Sequence, residues 1–242
     1  MDVDGIDAAH KLTILASIAF GIPLQYDRVY MEGISGVTRE DVAYAQELGY
    51  RIKHLAIARR TNGSVEMRVH PTLIPQRRLI ANVDGVMNAV LVHADALGPT
   101  LYYGAGAGAE PTASAVVADV VDVVRTLTAD PDNRVPHLAF KPDQIADLPV
   151  LDIADVESAY YLRLQAADRP GVMAQVSRIM GDLDISIEAI LQKEPGEGET
   201  TVPLILLTRR VRERRINEAI REFEALDSII GKVQRIRVET LG

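Results

Sequence analysis

The pattern of apolar and polar positions divides the chain into helical and alternating stretches. From Ala8 to Phe20 only His10, Lys11, Thr13 and Ser17 interrupt an apolar run, and Gly21 follows as a stop. With Asp4 or Gly5 opening it, this stretch predicts a helix apolar on nearly all sides, and such a helix is expected to be buried. Its polar opening turn then belongs where the buried body meets an opening. Thr38 followed by Asp41 is a capping-box-like start, and Gly49 a stop, for a helix over about Arg39–Leu48. RIKHLAIARR and SVEMRVHPTL alternate on either side of Thr61-Asn62-Gly63, and Asn-Gly between two such runs signals a β-hairpin. MNAVLVHADAL and TLYYG predict further strands after a short turn or helix near Gln76–Ala81, and a second long helix runs from Pro111 or Thr112 to about Leu127. Residues 128–156 hold several prolines and aspartates and lose periodicity, so they read as a linker. Leu138, Phe140, Ile145 and Leu148 keep that linker apolar enough to dock on a neighbour. From residue 157 the order strand, helix, strand, strand, helix, strand returns, with Asp168-Arg169-Pro170-Gly171 turning into the first helix.

The fold class expected is α+β: helices on a largely antiparallel or mixed sheet, then a ferredoxin-like βαββαβ domain. The expected segments are 1–127, a linker 128–156, and 157–242. With 242 residues there is room for two ordinary cores, filled mainly by aliphatic side chains because the chain has three Phe and no Trp. A net charge of −8 argues against a general nucleic-acid surface. The absence of cysteine removes disulfides and thiolate metal sites. The first helix meets Gly21 and Pro23 too soon to span a membrane, and the acidic opening is unlike a secretory signal, so a cytoplasmic protein is expected. His54, His70 and His93 have spacings that match no metal pattern, and no metal is expected.

Two places carry candidate chemistry. Asp7 and Lys11 are four residues apart and share a helix face. The pair is either an ordinary intrahelical ion pair or a substrate-holding carboxylate beside a proton-moving ammonium. Gly104, Gly106 and Gly108 precede a helix, where backbone amides and the positive end of the helix dipole face an anion. The spacing is GxGxG, not the dinucleotide fingerprint GxGxxG, and glycines that merely let a helix pack tightly are an equal alternative.

DVDGIDAAHKL resembles the catalytic motif of homoserine dehydrogenases, and GAGAGAEPTAS resembles the segment that closes their catalytic region. The DRPGV turn and the C-terminal element order resemble an ACT domain, a module that binds amino-acid effectors. The resemblance covers nearly the whole chain, with the three blocks in the family's order. It implies an oxidoreductase of threonine, methionine and isoleucine biosynthesis, interconverting L-homoserine and L-aspartate 4-semialdehyde with NAD(P). It assigns Asp7 and Lys11 to substrate binding and proton relay, and Asp2 to the polar end of the substrate pocket. It also assigns Gly106 and Gly108, the latter preferred, to the approach of the nicotinamide cofactor. Asp168, Gly171, Val172 and Ile187 are assigned to a regulatory effector such as threonine. A homo-oligomer is implied, with neither nucleic acid nor membrane as partner.

Full-length members open with a nucleotide-binding Rossmann domain and carry a substrate-binding Glu shortly before the position of Asp2. This chain begins almost at the catalytic helix, so the main cofactor site is expected outside it. The alternative is a catalytically inactive dimerisation and regulatory piece that binds an amino acid such as threonine. A Schiff-base enzyme using Lys11 is a third, weaker reading.

Overall fold

The computed structural model describes residues 2–128, 136, 139–193, 195, 198 and 200–241. It resolves into two compact units, one of residues 1–75 with 146–242 and one of residues 76–145.

The first unit begins with α1 (Ile6–Phe20), entered through Gly5 and left through Gly21, both left-handed. Here the expectation of burial on all sides is corrected. Ala9, Leu12, Thr13, Ala16 and Ser17 are buried, but Ile14, Leu15 and Ile18 are exposed. The inward face packs on the hairpin of β2 (Tyr50–Thr61) and β3 (Ser64–Pro75), with Ala9, Leu12 and Ala16 meeting Val65, Met67 and Val69. The two-residue Asn62-Gly63 turn sets that hairpin's register, pairing Thr61 with Ser64. A short strand β1 (Tyr30–Met31) runs parallel to β3. Helix α2 (Arg39–Glu47) has the capping box that Thr38 and Asp41 predict.

The C-terminal part has the expected βαββαβ plan. It comprises β6 (Glu157–Ala167), α4 (Val172–Asp182), β7 (Ile187–Gln192), β8 (Thr201–Thr208), a two-residue strand β9 (Val211–Arg212), α5 (Glu213–Glu224) and β10 (Gln234–Val238). The order β10-β6-β8-β7 is that of a ferredoxin-like sheet. One face carries α4 and α5, whose Val176, Ile179, Met180, Ile216, Ala219 and Phe223 meet Leu162, Leu164, Leu204 and Leu206. Tyr44 and Ala45 of α2 cover the other face against Tyr161, Ile205, Leu207 and Ile236.

The packing groups the chain differently from the segments expected of the sequence. Arg237 and Val238 of β10 pair in parallel with Thr72 and Leu73 of β3, so the C-terminal sheet continues into the N-terminal hairpin. The return segment closes the unit, with Val65 and Leu151 bonded through their backbones and Leu148 packed near α1. Leu148 thus docks as expected; Leu138 lies outside the described residues.

In the second unit, β4 (Met87–Ala94) and β5 (Gly98–Ala105) form a separate two-stranded hairpin, followed by α3 (Ala109–Thr128). The helix starts two residues before Pro111 and buries none of its residues; its valines, from Val116 to Val124, are exposed. Among the described residues no helix is long and apolar enough to cross a membrane.

Candidate active site and the regulatory module

Residues 2–5 form a tight turn ahead of α1. The Gly5 amide donates to the Asp2 carbonyl at 3.2 Å, and the Ile34 amide donates to the Val3 carbonyl at 2.9 Å. Gly5 has a φ of +83°, and a Cβ there would come within 2.9 Å of Val69 and 3.1 Å of the His54 ring. A side chain would be both strained and blocked, so the chain needs glycine at this point. The turn therefore sits pressed on β2 and β3 and launches α1 in a fixed direction.

On α1, Lys11 Nζ lies 2.6 Å from the Asp7 carboxylate, and the two side chains are 64% and 52% exposed. The spacing brings them together as the helical reading requires. Within this chain, however, they stand on an open surface and not inside a cleft. Asp2 is exposed in the turn just before them. Beside Lys11, the His10 ring stacks on Tyr26, with centroids 4.1 Å apart and planes 3° from parallel.

Gly106 and Gly108 belong to the other unit. The Gly106 amide donates to the Val86 carbonyl, and the Asn88 side chain fills the space where a Cβ on Gly106 would stand. Gly108 has a φ of +133°, and the ring of Pro111 is its near neighbour. Of the two, Gly108 is the less crowded; Asn88 covers Gly106.

The DRPGV turn lines a cavity of about 170 Å³, with Asp168, Gly171, Val172 and Met173 on one side and Gln192 and Val202 on the other. Gly171 takes a left-handed conformation (φ +93°) and caps α4, leaving the helix's first amides directed at the cavity end. Ile187 does not line this cavity. It sits at the other end of β7 and packs with the hydrophobic core, whereas Gln192 of the same strand lines the cavity.

Sequence reasoning missed the buried ionic seam between β3 and β10. Arg237, 1% exposed, is held in a fork by Glu213 (2.6 and 2.7 Å) and reaches Glu32 at 2.8 Å and the Tyr30 hydroxyl at 3.2 Å. Burial works against the Arg237 charge, but the carboxylate hydrogen bonds outweigh it and raise its pKa. Burial likewise works to raise the Glu32 pKa, and Arg237 reverses this to leave it lowered. On the next strand, Arg68 donates to Glu239 at 2.6 Å and to Glu66 at 3.3 Å, and Arg59 approaches the same two carboxylates. Beside them His70 is fully buried, with Nε2 2.7 Å from Arg68; burial first, then Arg237 and Arg68, lower its pKa well below the ordinary value. A signal was present: Glu66, Arg68, His70 and Thr72 alternate along one strand, as do Arg235, Arg237 and Glu239 along another. Polar alternation ordinarily marks a solvent face, and here Arg68 and Arg237 are instead buried against Glu66, Glu239, Glu213 and Glu32.

The sequence model of the homoserine dehydrogenase family matches residues 1–121, and that of the ACT domain matches residues 160–228. The chain belongs to the homoserine dehydrogenase family. It is 67% identical to a homoserine dehydrogenase of Pseudomonas aeruginosa over 99% of its own length and 55% of that protein, and 50% identical to one of Neisseria gonorrhoeae with the same coverage. The crystal structure of a homoserine dehydrogenase from Thiobacillus denitrificans superposes with a TM-score of 0.93 at 66% identity, covering 100% of this chain and 54% of that one. One from S. aureus matches with a TM-score of 0.69 at 27% identity, over 99% of this chain and 55% of that one. The chain spans about half the length of the curated relatives it matches.

Proposed function

We propose that this homoserine dehydrogenase chain carries the substrate-handling and regulatory parts of an enzyme that interconverts L-homoserine and L-aspartate 4-semialdehyde. The observation that carries this reading is the Asp7–Lys11 pair, held at 2.6 Å on the first turns of a helix whose direction a clamped glycine turn fixes. In this reading Asp7 accepts from the substrate's ammonium and orients Lys11. Lys11, as its neutral amine, takes the hydroxyl proton when the alcohol is oxidised, and the ammonium so formed returns it when the aldehyde is reduced. Asp2 supports the polar end of the pocket. The exposure of the pair leaves it free to meet substrate. NAD(P) would supply the hydride acceptor or donor; Gly108, just before α3, is the residue of this chain proposed to lie against it. The apolar outer face of α3 would then cover the nucleotide-binding part.

The test joins this chain to the portion of the Pseudomonas aeruginosa relative that it does not match, and follows homoserine-dependent NAD(P)H formation. Turnover that falls by several orders of magnitude in Lys11→Ala supports the roles given; near-normal turnover overturns them.

The ACT module supports a second reading, amino-acid binding by the chain itself. The cavity of about 170 Å³ suits a small amino acid, with Asp168 facing an ammonium and the first amides of α4 facing a carboxylate. Isothermal calorimetry with threonine at millimolar concentration checks it, and an absence of heat counts against it. As homodimers are the commonest soluble oligomers, a homo-oligomer working in the cytoplasm accompanies both readings.

A further inference from the structure

We infer that Glu32 is a positioning residue: it is the joint through which the last strand of the ACT module sets the turn that launches Asp7 and Lys11. This rests on the reading that those two residues handle the substrate. Each connection at Glu32 leads to a different part. Its carboxylate accepts from Arg237 at 2.8 Å and from the Tyr30 hydroxyl at 2.9 Å, with Arg235 at 3.5 Å. Arg237 is in turn forked onto Glu213, the first residue of α5, so this grip belongs to the C-terminal module. The Glu32 backbone faces the other way. Its amide donates to the Val69 carbonyl at 2.8 Å, and its carbonyl meets His54 Nε2 at 3.0 Å.

The next two residues complete the connection. A Cβ on Gly33 would come within 2.8 Å of the Val3 carbonyl, and the Ile34 amide bonds that same oxygen at 2.9 Å. The His54 ring also stands where a Cβ on Gly5 would come within 3.1 Å of it. The turn of residues 2–5 is therefore held between the loop that Glu32 anchors and the hairpin that Glu32's backbone touches. A displacement of β10 has a short route to α1, through one ionic contact and two residues of tight backbone packing. A contact between a buried Arg237 and a partly buried Glu32 suits such a joint, because its geometry is set by several charge-assisted hydrogen bonds.

The experiment measures residue-resolved amide hydrogen exchange in this chain and in Glu32→Gln, Glu32→Ala and Glu32→Asp. All three leave the Arg237–Glu213 fork in place. Glu32→Ala is expected to speed exchange at Gly5, Ala9 and Ile34 by about tenfold or more, with amides of β6 and β8 unchanged, since local opening is separable from global unfolding. Glu32→Gln should show a smaller local effect, and Glu32→Asp should restore most of the protection. Unchanged exchange at those amides overturns the inference. So does a uniform rise across both parts, which is what a purely stabilising role would give. A failed dehydrogenase assay would leave the exchange pattern standing, so the two readings fail separately.

Discussion

Two ion pairs in one compact unit stand in opposite surroundings. Lys11 and Asp7 lie 2.6 Å apart with more than half of each side chain in solvent. Arg237 and Glu213 lie at the same distance with 1% and 2% exposure. In water the first pair is screened and contributes little to stability, as the proposed exchange of partners with a substrate requires. The second has given up its hydration. It persists because further protein partners surround both groups, among them Glu32, Tyr30, Tyr160 and Arg235. The lesson is that contact distance says little about role; solvent access and the number of further partners decide it.

The comparison breaks most visibly in activity. Lys11→Ala in the hybrid enzyme should lose several orders of magnitude in turnover while its melting temperature stays near that of the parent, read by NAD(P)H absorbance and thermal unfolding.

Removing one buried partner should give the reverse pattern. Glu213→Ala strands Arg237 and is expected to cost about 3–5 kcal/mol in urea unfolding, whereas a joint replacement of Arg237 and Glu213 by apolar residues of similar volume should cost much less.

The pH dependence sharpens the contrast further. His70 has a folded-state pKa well below its ordinary 6.5, so the unfolded chain binds its proton first. Its stabilising contribution is complete above about 6.5 and declines as the pH falls below it. Glu32, Glu239 and Asp41 have lowered pKa values, through Arg237, Arg68 and Arg163 respectively, overcoming burial. Their contribution is present above the ordinary carboxylate values of 4.5 and 3.8 and is lost as the pH falls through the folded-state values. Urea midpoints measured from pH 8 to 4 should begin to drop below about 6.5 and steepen near the bottom of the range. His70→Gln should remove the first part of that decline.

The smallest expected effects are local. Thr38→Ala removes the side-chain cap of α2 and should cost about 1 kcal/mol. Asp7→Asn should change stability by about 0.5 kcal/mol or less, in keeping with an exposed i,i+4 pair.

Much of the architecture followed from local chemistry. Gly21 ends α1, Thr38 and Asp41 cap α2, and Asn62-Gly63 turns the hairpin, because each of these devices needs only its near neighbours in the chain. The βαββαβ order and the helical faces of α4 and α5 were legible for the same reason. So was the meeting of Asp7 with Lys11, which helix geometry alone guarantees.

Tertiary packing decided the rest. The period of α1 could not say that Ile14, Leu15 and Ile18 would face outward, since that depends on the hairpin reaching one side of the helix and stopping there. Nor could it place Gln192 in the cavity instead of Ile187, because both lie on β7 and the cavity forms at one end of that strand. The polar alternation of Glu66, Arg68 and His70 was plain in the sequence, but whether it met water or Glu239 depended on β10 arriving from 171 residues further along. Burying a charge is tolerable only when a complementary charge is delivered to it, and that delivery is a property of the folded chain, not of any stretch within it.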